Sequence, residues 1–303
     1  MNLLYRPLPN RIVRTALKPF ARWIPDERLI PVDGPIRVEL PNGQEIVMAC
    51  NPTSHLAKVL YWRGWQGFEY PVMCAFVPLI RRAEVFVDIG ANIGYYSLAA
   101  SALNPNVQVH SFEPLPAAFR YLQRSVALNG FDSVRAEQVA LAGSEGTMTF
   151  FAARKEKYDA IADHLVATGG FDEAQAEISG TVAPVEVRTT TLDTYVAREI
   201  DRPIDLLKID TESTEHIVLS GSSQVLSEHR PTVLCEVLPG RNSEELEAIF
   251  LRHDYTLFRA EPEALRRVER LSHDGIHGND HVMIPAESVG GRESLFGGEV
   301  RLL

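Results

Sequence analysis

The sequence has few cysteines, no long apolar run and no excess of positive charge, and each absence excludes a class of protein. Its three cysteines lie too far apart for a CxxC pair or a disulfide framework, so we expect reduced thiols. No apolar run reaches the roughly 18 residues of a transmembrane helix, and the first residues lack the apolar segment of a signal peptide. A net charge of −10 argues against binding nucleic acid through bulk charge. We therefore expect a cytoplasmic protein with no nucleic-acid partner.

The first 64 residues are interpreted as an extension that precedes the main domain. Five cations precede the first acid, Asp26, and they are Arg6, Arg11, Arg14, Lys18 and Arg22. They alternate with apolar residues at helical spacing, which predicts an amphipathic helix that Pro19 interrupts. We favour a helix packed on the protein's own body, and we leave open a peripheral contact of residues 1–24 with a membrane or a partner. Asn42-Gly43 predicts a β-hairpin within residues 35–49.

Residues 65–303 read as one α/β domain. From Glu84 onward, apolar strands alternate with helices, which predicts a mostly parallel sheet with helices on both faces. We expect seven strands in this sheet. Residues 154–180 are polar and contain glycine, and an insertion of this length in a small domain is typical of a functional loop. We predict that it forms a lid over the substrate of this domain.

A glycine turn carries the strongest local signal for a ligand. The strand that starts at Val85 runs into a turn with Gly90 and Gly94, and a helix follows. Glycine lets the backbone approach a ligand, and the N-terminus of a helix offers free N–H groups. Glu113 ends the next predicted strand, where a carboxylate can accept both hydroxyls of a ribose. In a parallel sheet these pieces meet at the carboxyl ends of the strands.

Two nucleotide cofactors fit such a turn, a nicotinamide dinucleotide and S-adenosylmethionine. The dinucleotide fingerprint is G-x-G-x-x-G, and here the turn lacks the third glycine at the expected position. Asp88, just before Gly90, would lie poorly beside a pyrophosphate. A carboxylate there suits the ammonium group of a methionine. We therefore favour S-adenosylmethionine.

Four motifs in order resemble the FkbM family of S-adenosylmethionine-dependent methyltransferases. They are Asp88-Ile-Gly-Ala-Asn-Ile-Gly-Tyr-Tyr-Ser97, Phe112-Glu-Pro114, Thr191-Leu-Asp-Thr-Tyr195 and Asp205-Leu-Leu-Lys-Ile-Asp210. The resemblance covers about residues 65–285. It implies a Rossmann-like class I methyltransferase that acts on a hydroxyl of a sugar, glycan or natural product. By position, it implies that the cofactor is held by Asp88, Gly90, Asn92, Gly94 and Glu113.

The sequence departs from the family pattern after Asp210. The family commonly continues Val-Glu-Gly-Ala-Glu, whereas this chain has Thr211-Glu-Ser-Thr-Glu215. The acids are kept, and the Gly-Ala pair of the family is replaced by Ser213 and Thr214. We expect the chemistry to survive and the shape of the acceptor pocket to differ.

Asp210 and Glu212 are the predicted catalytic residues. A sugar hydroxyl is a poor nucleophile until its proton leaves, so a carboxylate base is useful. The alternative for Asp210 is a helix N-cap. Together with Glu236 these acids could also bind Mg²⁺, although we expect no resident metal. Glu69, which precedes the strand and glycine turn of the cofactor motif, could reach the methionine end of the cofactor.

Two other functions stay open at this stage. A chain with the altered Ser213-Thr214 pair could bind the cofactor as a scaffold or regulator without turnover. A methyltransferase acting on nucleic acid or protein is the other alternative, and the net charge and the lack of an Asn-Pro-Pro-Tyr or Asp-Pro-Pro-Tyr motif argue against nucleic-acid bases.

Overall fold

The computed structural model describes most of the chain. The described residues are 7–154, 161, 163–165, 169–170, 181–238, 242–271, 279–289 and 296–303. The predicted lid at 154–180 lies largely outside them, so it stays a prediction.

The strands and helices follow in chain order. The strands are β1 (Ile36–Glu39), β2 (Glu45–Met48), β3 (Val85–Ile89), β4 (Gln108–Phe112), β5 (Val134–Glu137), β6 (Ala140–Leu141), β7 (Gly146–Arg154), β8 (Gly169–Gly170), β9 (Thr181–Thr190), β10 (Leu206–Ile209), β11 (Thr232–Glu236), β12 (Tyr255–Glu261), β13 (Ala264–Arg267), β14 (Asp280–Pro285) and β15 (Arg301–Leu302). The α-helices are α1 (Pro7–Leu17), α2 (His55–Arg63), α3 (Tyr70–Ile80), α4 (Tyr95–Leu103), α5 (Pro116–Asn129), α6 (Leu192–Glu199), α7 (Glu215–Ser220), α8 (Ser243–Arg252) and α9 (Ala286–Val289).

The main sheet confirms the predicted parallel architecture and extends it. Within the described residues its order is β15-β13-β12-β14-β11-β10-β3-β4-β5. The five strands from β11 to β5 are parallel neighbours, and β14 runs antiparallel between β11 and β12. The segments from β5 to β12 supply the seven expected strands. Strands β13 and β15 add two more at the β12 edge.

Apolar side chains from the central strands enter two hydrophobic cores. Phe86 of β3 packs with α3 and α4 in one core, whereas Val85 and Val87 pack with α6 and α8 in the other. Successive side chains of a strand point to opposite faces of a sheet, so this division shows that helices cover both faces. Every residue of β3 is buried, as expected for a central parallel strand.

Strands β6, β7, β8 and β9 form a second sheet. Its order is β6-β9-β7-β8, and β7 pairs with β9 antiparallel from Gly146↔Thr189 to Arg154↔Thr181. Strands β5 and β6 follow each other closely in the chain, but β5 belongs to the main sheet and β6 to this one. The second sheet therefore lies beside the main sheet rather than lengthening it.

The N-terminal extension contains the predicted hairpin and a helix with an unexpected orientation. Strands β1 and β2 pair antiparallel, and the Asn129 side chain of α5 both donates to and accepts from the Val47 backbone, at 2.7 and 2.8 Å. Helix α1 gives way to a 3₁₀ helix, Lys18–Trp23, where Pro19 predicts an interruption. Its large apolar side chains at Leu8 and Ile12 are exposed rather than packed. None of the helices described is both long and apolar enough to span a membrane.

Candidate active site

A cavity of about 510 Å³ opens at the carboxyl ends of β3, β4, β10 and β11. Six of the seven predicted site residues line it, and they are Asp88, Gly90, Asn92, Glu113, Asp210 and Glu212. The seventh, Gly94, does not. Residues separated by more than 120 positions in the chain therefore meet at one sheet edge, as parallel topology requires.

The two glycines of the turn are needed for different physical reasons. Gly90 has φ +83°, and a Cβ there would lie 1.8 Å from the Asp210 carbonyl oxygen. Any side chain would therefore push the β3 and β10 loops apart. Gly94 has φ +96° and begins α4, and its Cβ would lie 2.6 Å from Leu122 Cδ1. The role of Gly94 is to let the helix start close to α5.

Glu113 is held by the backbone of two loops. Its carboxylate oxygens accept hydrogen bonds from the Asn92 and Leu115 backbone N–H groups, each at 2.9 Å. Burial raises its pKa to about 7, although these two hydrogen bonds act in the other direction. Each carboxylate oxygen has two lone pairs, so each can still accept a bond from a ligand hydroxyl. This geometry fits the predicted contact with a ribose.

Asp88 is buried at the end of β3, with Ser97 of α4 as its partner. The Ser97 hydroxyl donates to Asp88 Oδ2 at 2.5 Å and lies 2.7 Å from the Ser111 hydroxyl. Only 2% of Asp88 is exposed, and burial raises its pKa to about 6. A cationic ligand group beside it would favour the ionised carboxylate.

Lys208 lies among the acids and was missed as a functional residue by sequence reasoning. Its ammonium group is 3.0 Å from Asp210 Oδ2 and 3.5 Å from Glu69 Oε2, and it lies 4.5 Å from the centre of the Tyr96 ring. Burial lowers the pKa of Lys208, but the attraction of Asp210, Glu69 and Asp88 outweighs burial, and the pKa stands well above its ordinary value. The sequence did contain a signal for this residue, because a lysine within an apolar strand, two positions before Asp210, needs an acidic partner.

Glu69 joins this cluster from outside the cofactor turn. It precedes α3 with φ +46°, and its Oε2 accepts a hydrogen bond of 2.7 Å from the Tyr96 hydroxyl. Burial raises its pKa. The structure therefore places Glu69 at the cavity, where the sequence predicted that it could reach.

Three further carboxyl groups near Lys208 have raised pKa values. The pKa is about 8 for Glu212, about 9 for Glu236 and about 7 for Asp280, in each case mainly because of burial and then because of neighbouring acids. Asp280 lies opposite Glu236 in the β11–β14 register. Among the residues that the structure describes, no group hydrogen-bonds the carboxylate of Glu212. An unbonded carboxyl group with a pKa near neutrality can take up a proton.

The segment that departs from the family pattern has a strained backbone. Glu212 has φ +55° and Ser213 has φ +82°, a region that glycine adopts more readily. Glu215 Oε1 holds this turn by accepting bonds from the Thr211 backbone at 2.9 Å, the Thr211 hydroxyl at 3.1 Å and the Ser213 backbone at 3.2 Å. Thr214 lines the cavity and Ser213 does not. The threonine therefore alters the pocket, whereas the serine mainly adds backbone strain.

Residues far from the cofactor motifs complete the wall of the cavity. Thr53, His55 and Leu56 come from the N-terminal extension. The Leu165 backbone donates to the Thr53 hydroxyl at 2.7 Å, which joins residues 163–165 to the same wall. Sequence reasoning missed these residues because no local motif marks them.

The cavity has features that fit a nucleoside with a cationic tail. Two buried polar atoms, Asn92 Oδ1 and the Tyr95 hydroxyl, have no hydrogen-bond partner among the described residues, and both residues line the cavity. Such orphaned groups cost free energy unless a ligand or water satisfies them. The acids around Lys208 favour a positive ligand over a pyrophosphate. Within the described ranges, no three His, Cys, Asp or Glu residues are arranged to hold a metal ion.

Comparisons with known proteins show similarity to methyltransferases. The sequence profile of the methyltransferase FkbM domain matches residues 88–257. The chain is 33% identical over 162 residues to 31-O-demethyl-FK506 methyltransferase FkbM of Streptomyces tacrolimicus, covering 47% of this chain and 60% of the relative. It is 34% identical over 155 residues to methyltransferase sdnD of Sordaria araneosa, covering 45% and 59%. The match thus spans about 60% of the length of these curated relatives.

Solved structures include a methyltransferase FkbM from Methylobacillus flagellatus KT. The TM-score is 0.43 at 17% sequence identity, and the alignment covers 71% of this chain and 50% of that one.

Proposed function

This chain belongs to the methyltransferase FkbM family, and from that premise we propose that it transfers a methyl group from S-adenosylmethionine to a hydroxyl of a sugar, glycan or natural product. The name of one relative, 31-O-demethyl-FK506 methyltransferase, supports transfer to oxygen. The observation that carries the proposal is the meeting of Asp88, Glu113 and the Lys208 cluster at one sheet edge.

The donor site divides into a ribose end and a methionine end. Glu113 and Asn92 would hold the ribose, because Glu113 keeps one free lone-pair position on each oxygen. Asp88 and Glu69 would attract the ammonium group of the methionine part. S-adenosylmethionine, when bound, supplies an electrophilic methyl group on a positively charged sulfur.

The surplus of acids supports this donor over a dinucleotide. Lys208 faces Glu69, Asp88 and Asp210, and Glu212 lies near Asp210. A pyrophosphate would add negative charge to a buried region that already has too much of it. A sulfonium and an ammonium would instead favour ionised carboxylates. Ionisation of these acids is thereby coupled to binding of a cationic ligand.

Asp210 and Glu212 are our candidates for the catalytic carboxylates, with Glu212 as the general base. Asp210 forms an ion pair with Lys208 at 3.0 Å. Glu212 has no ion-pair partner among the described residues, and burial and neighbouring acids raise its pKa to about 8. A cationic ligand bound beside it would favour the ionised carboxylate, which is the form that can accept the acceptor's proton. Alignment of acceptor and donor supplies further rate by itself. We propose no role for a resident metal, so EDTA should leave turnover unchanged.

Two measurements test the proposal. Isothermal titration calorimetry should detect binding of S-adenosylhomocysteine and no comparable binding of NAD. In the second, purified protein and isotopically labelled S-adenosylmethionine are incubated with metabolite and glycan extracts from cells that lack the gene. Mass spectrometry should find a product that has gained one labelled methyl group on oxygen.

The outcomes distinguish the alternatives. Tight binding of NAD, or no binding of S-adenosylhomocysteine at millimolar concentration, would contradict the donor assignment. Binding without transfer to any acceptor would indicate a scaffold or regulator. A labelled nucleic acid or protein would contradict the proposed acceptor class and leave the donor site standing.

A further inference from the structure

The surface of α1 and the 3₁₀ helix that follows it is unusually apolar. Among the described residues, eight large hydrophobic side chains are exposed, and five of them fall within this short segment. These five form what we call the outer stripe, and they are Leu8 (74% exposed), Ile12 (68%), Leu17 (36%), Phe20 (54%) and Trp23 (63%). Single exposed apolar residues are normal on a soluble protein, but a concentration of them marks an interaction surface.

The outer stripe contains two pairs of neighbouring side chains. Leu8 and Ile12 are four residues apart and share one face of α1. The rings of Phe20 and Trp23 have centroids 6.0 Å apart. The stripe therefore offers aliphatic and aromatic side chains along the length of the segment.

The opposite face holds the segment to the body through polar contacts. Asn10 donates to the Pro31 carbonyl at 2.6 Å and accepts from the Asp33 backbone at 3.1 Å. Arg14 is 5% exposed, and its guanidinium lies 4.9 Å from the centre of the Tyr61 ring. Arg63 donates to the Ala21 carbonyl at 2.6 Å. These polar contacts, together with Val13 and Ala21 at the hydrophobic core, anchor the segment and leave the outer stripe facing outward.

Within residues 7–23, which carry the outer stripe, every charged side chain is basic. Arg11 and Arg22 are exposed, and the Arg22 guanidinium lies 4.1 Å from the centre of the Trp23 ring. No acid occurs before Asp26, although the whole chain has a net charge of −10. Lys18 is engaged by the body, since it donates to the Tyr61 carbonyl. The local charge is therefore opposite in sign to that of the protein.

We propose that the outer stripe, with Arg11 and Arg22, is a docking surface for an anionic lipid bilayer. Apolar and aromatic side chains with flanking arginines are the composition of helices that lie in a membrane interface. A second copy of this chain is a poorer occupant, because it would bring like charges together. The stripe would lie at the level of the headgroups, and the arginines would contact lipid phosphates. This inference is independent of the reaction proposed for the cavity.

Vesicle flotation of the full chain tests the proposal. We expect the protein to float with vesicles of phosphatidylcholine and phosphatidylglycerol, and not with phosphatidylcholine alone. Binding should weaken as salt rises, because the arginine contacts are screened. Phe20→Ser with Trp23→Ser should lower the partition coefficient at least tenfold. Arg11→Gln with Arg22→Gln should lower it about thirtyfold on anionic vesicles, at roughly 1 kcal/mol for each cation.

Matched controls distinguish binding through this surface from non-specific hydrophobic adsorption to vesicles. Leu128→Ser with Leu251→Ser removes apolar side chains of similar exposure, 45% and 50%, from other surfaces and should leave flotation unchanged. All variants should keep their affinity for S-adenosylhomocysteine, which shows that they fold. Absence of flotation on anionic vesicles, or equal flotation by the stripe variants, overturns the proposal. A dimer that only the stripe variants disperse would assign the stripe to a second copy and overturn it equally.

Discussion

Replacing Glu113 by alanine should weaken the binding of S-adenosylhomocysteine about 10- to 150-fold. The Glu113 side chain is 6% exposed, and each carboxylate oxygen already accepts one backbone N–H at 2.9 Å. One lone-pair position on each oxygen remains for the two ribose hydroxyls. Hydrogen bonds to a charged group are worth about 1.5–3 kcal/mol, which converts to the stated range.

The alanine variant also removes two hydrogen bonds that organise the loops at Asn92 and Leu115. A weaker affinity alone would therefore not show a ribose contact. A thermodynamic cycle that compares adenosine with 2′-deoxyadenosine separates loss of the ribose contact from disturbance of the loops, because the loop disturbance affects both ligands equally. Isothermal titration calorimetry should show that loss of the 2′-hydroxyl weakens binding to the wild type and has little effect on the variant.

The same contact predicts a pH dependence. Burial raises the pKa of Glu113 to about 7, so the carboxyl group of the unliganded protein takes up a proton as the pH falls from 8 to 6. The protonated group is a weaker acceptor, and affinity for adenosine should fall over this range in the wild type and less in the variant. The assignment of Glu113 to the ribose would be refuted if the deoxy ligand loses the same factor in both proteins.

Three further predictions follow from the site. Glu212→Gln, and likewise Asp210→Asn, should cut turnover about 10²–10⁴-fold with little change in affinity for S-adenosylhomocysteine. The control variant Glu228→Gln, which changes an exposed acid, should keep full activity. A loss of turnover below tenfold would place the proton acceptor elsewhere. Ser213→Gly should raise the free energy of unfolding by up to about 1 kcal/mol in urea melts, because it relieves a φ of +82°, and a lower value would mean that the serine's contacts outweigh the strain. Burial raises the pKa of Asp88 to about 6, so its contribution to the free energy of unfolding is complete below pH 4 and is lost as the pH rises through 6. The free energy of unfolding of the unliganded wild type should therefore fall by about 2–4 kcal/mol over this range relative to that of Asp88→Asn. Parallel pH profiles of the two proteins would contradict the burial of an acid at this position.

The local pattern of the sequence was sufficient to predict the cofactor side of the cavity. A buried strand, a glycine turn and a helix follow one another at Val85–Ser97, and the next strand ends in Glu113. Once the alternation of strands and helices predicts a parallel sheet, strand ends must meet at one edge. Asp88, Glu113 and Asp210 could therefore be placed together without coordinates. Their roles, the division at residue 64 and the cytoplasmic location stay predictions.

Tertiary structure decided the contacts between residues that no local pattern connects. Glu69 and Lys208 lie in different elements, and only the packing of α3 against the sheet brings them within 3.5 Å. Thr53 reaches the cavity because the extension folds over it. Neither contact can be predicted from hydrophobic periodicity or from the spacing of residues in the sequence.

The orientation of α1 shows the same limit most clearly. Periodicity identifies an apolar face and a polar face, and burial of apolar area ordinarily turns the apolar face inward. Here the body offers the Pro31 carbonyl and the Asp33 N–H to Asn10, and the Tyr61 ring to Arg14. The two hydrogen bonds satisfy Asn10, and Val13 of the same face packs against the core, so this face turns inward and Ile12 stays exposed. The sequence alone determined that the helix has two faces, and the partners on the body decided which of them meets solvent.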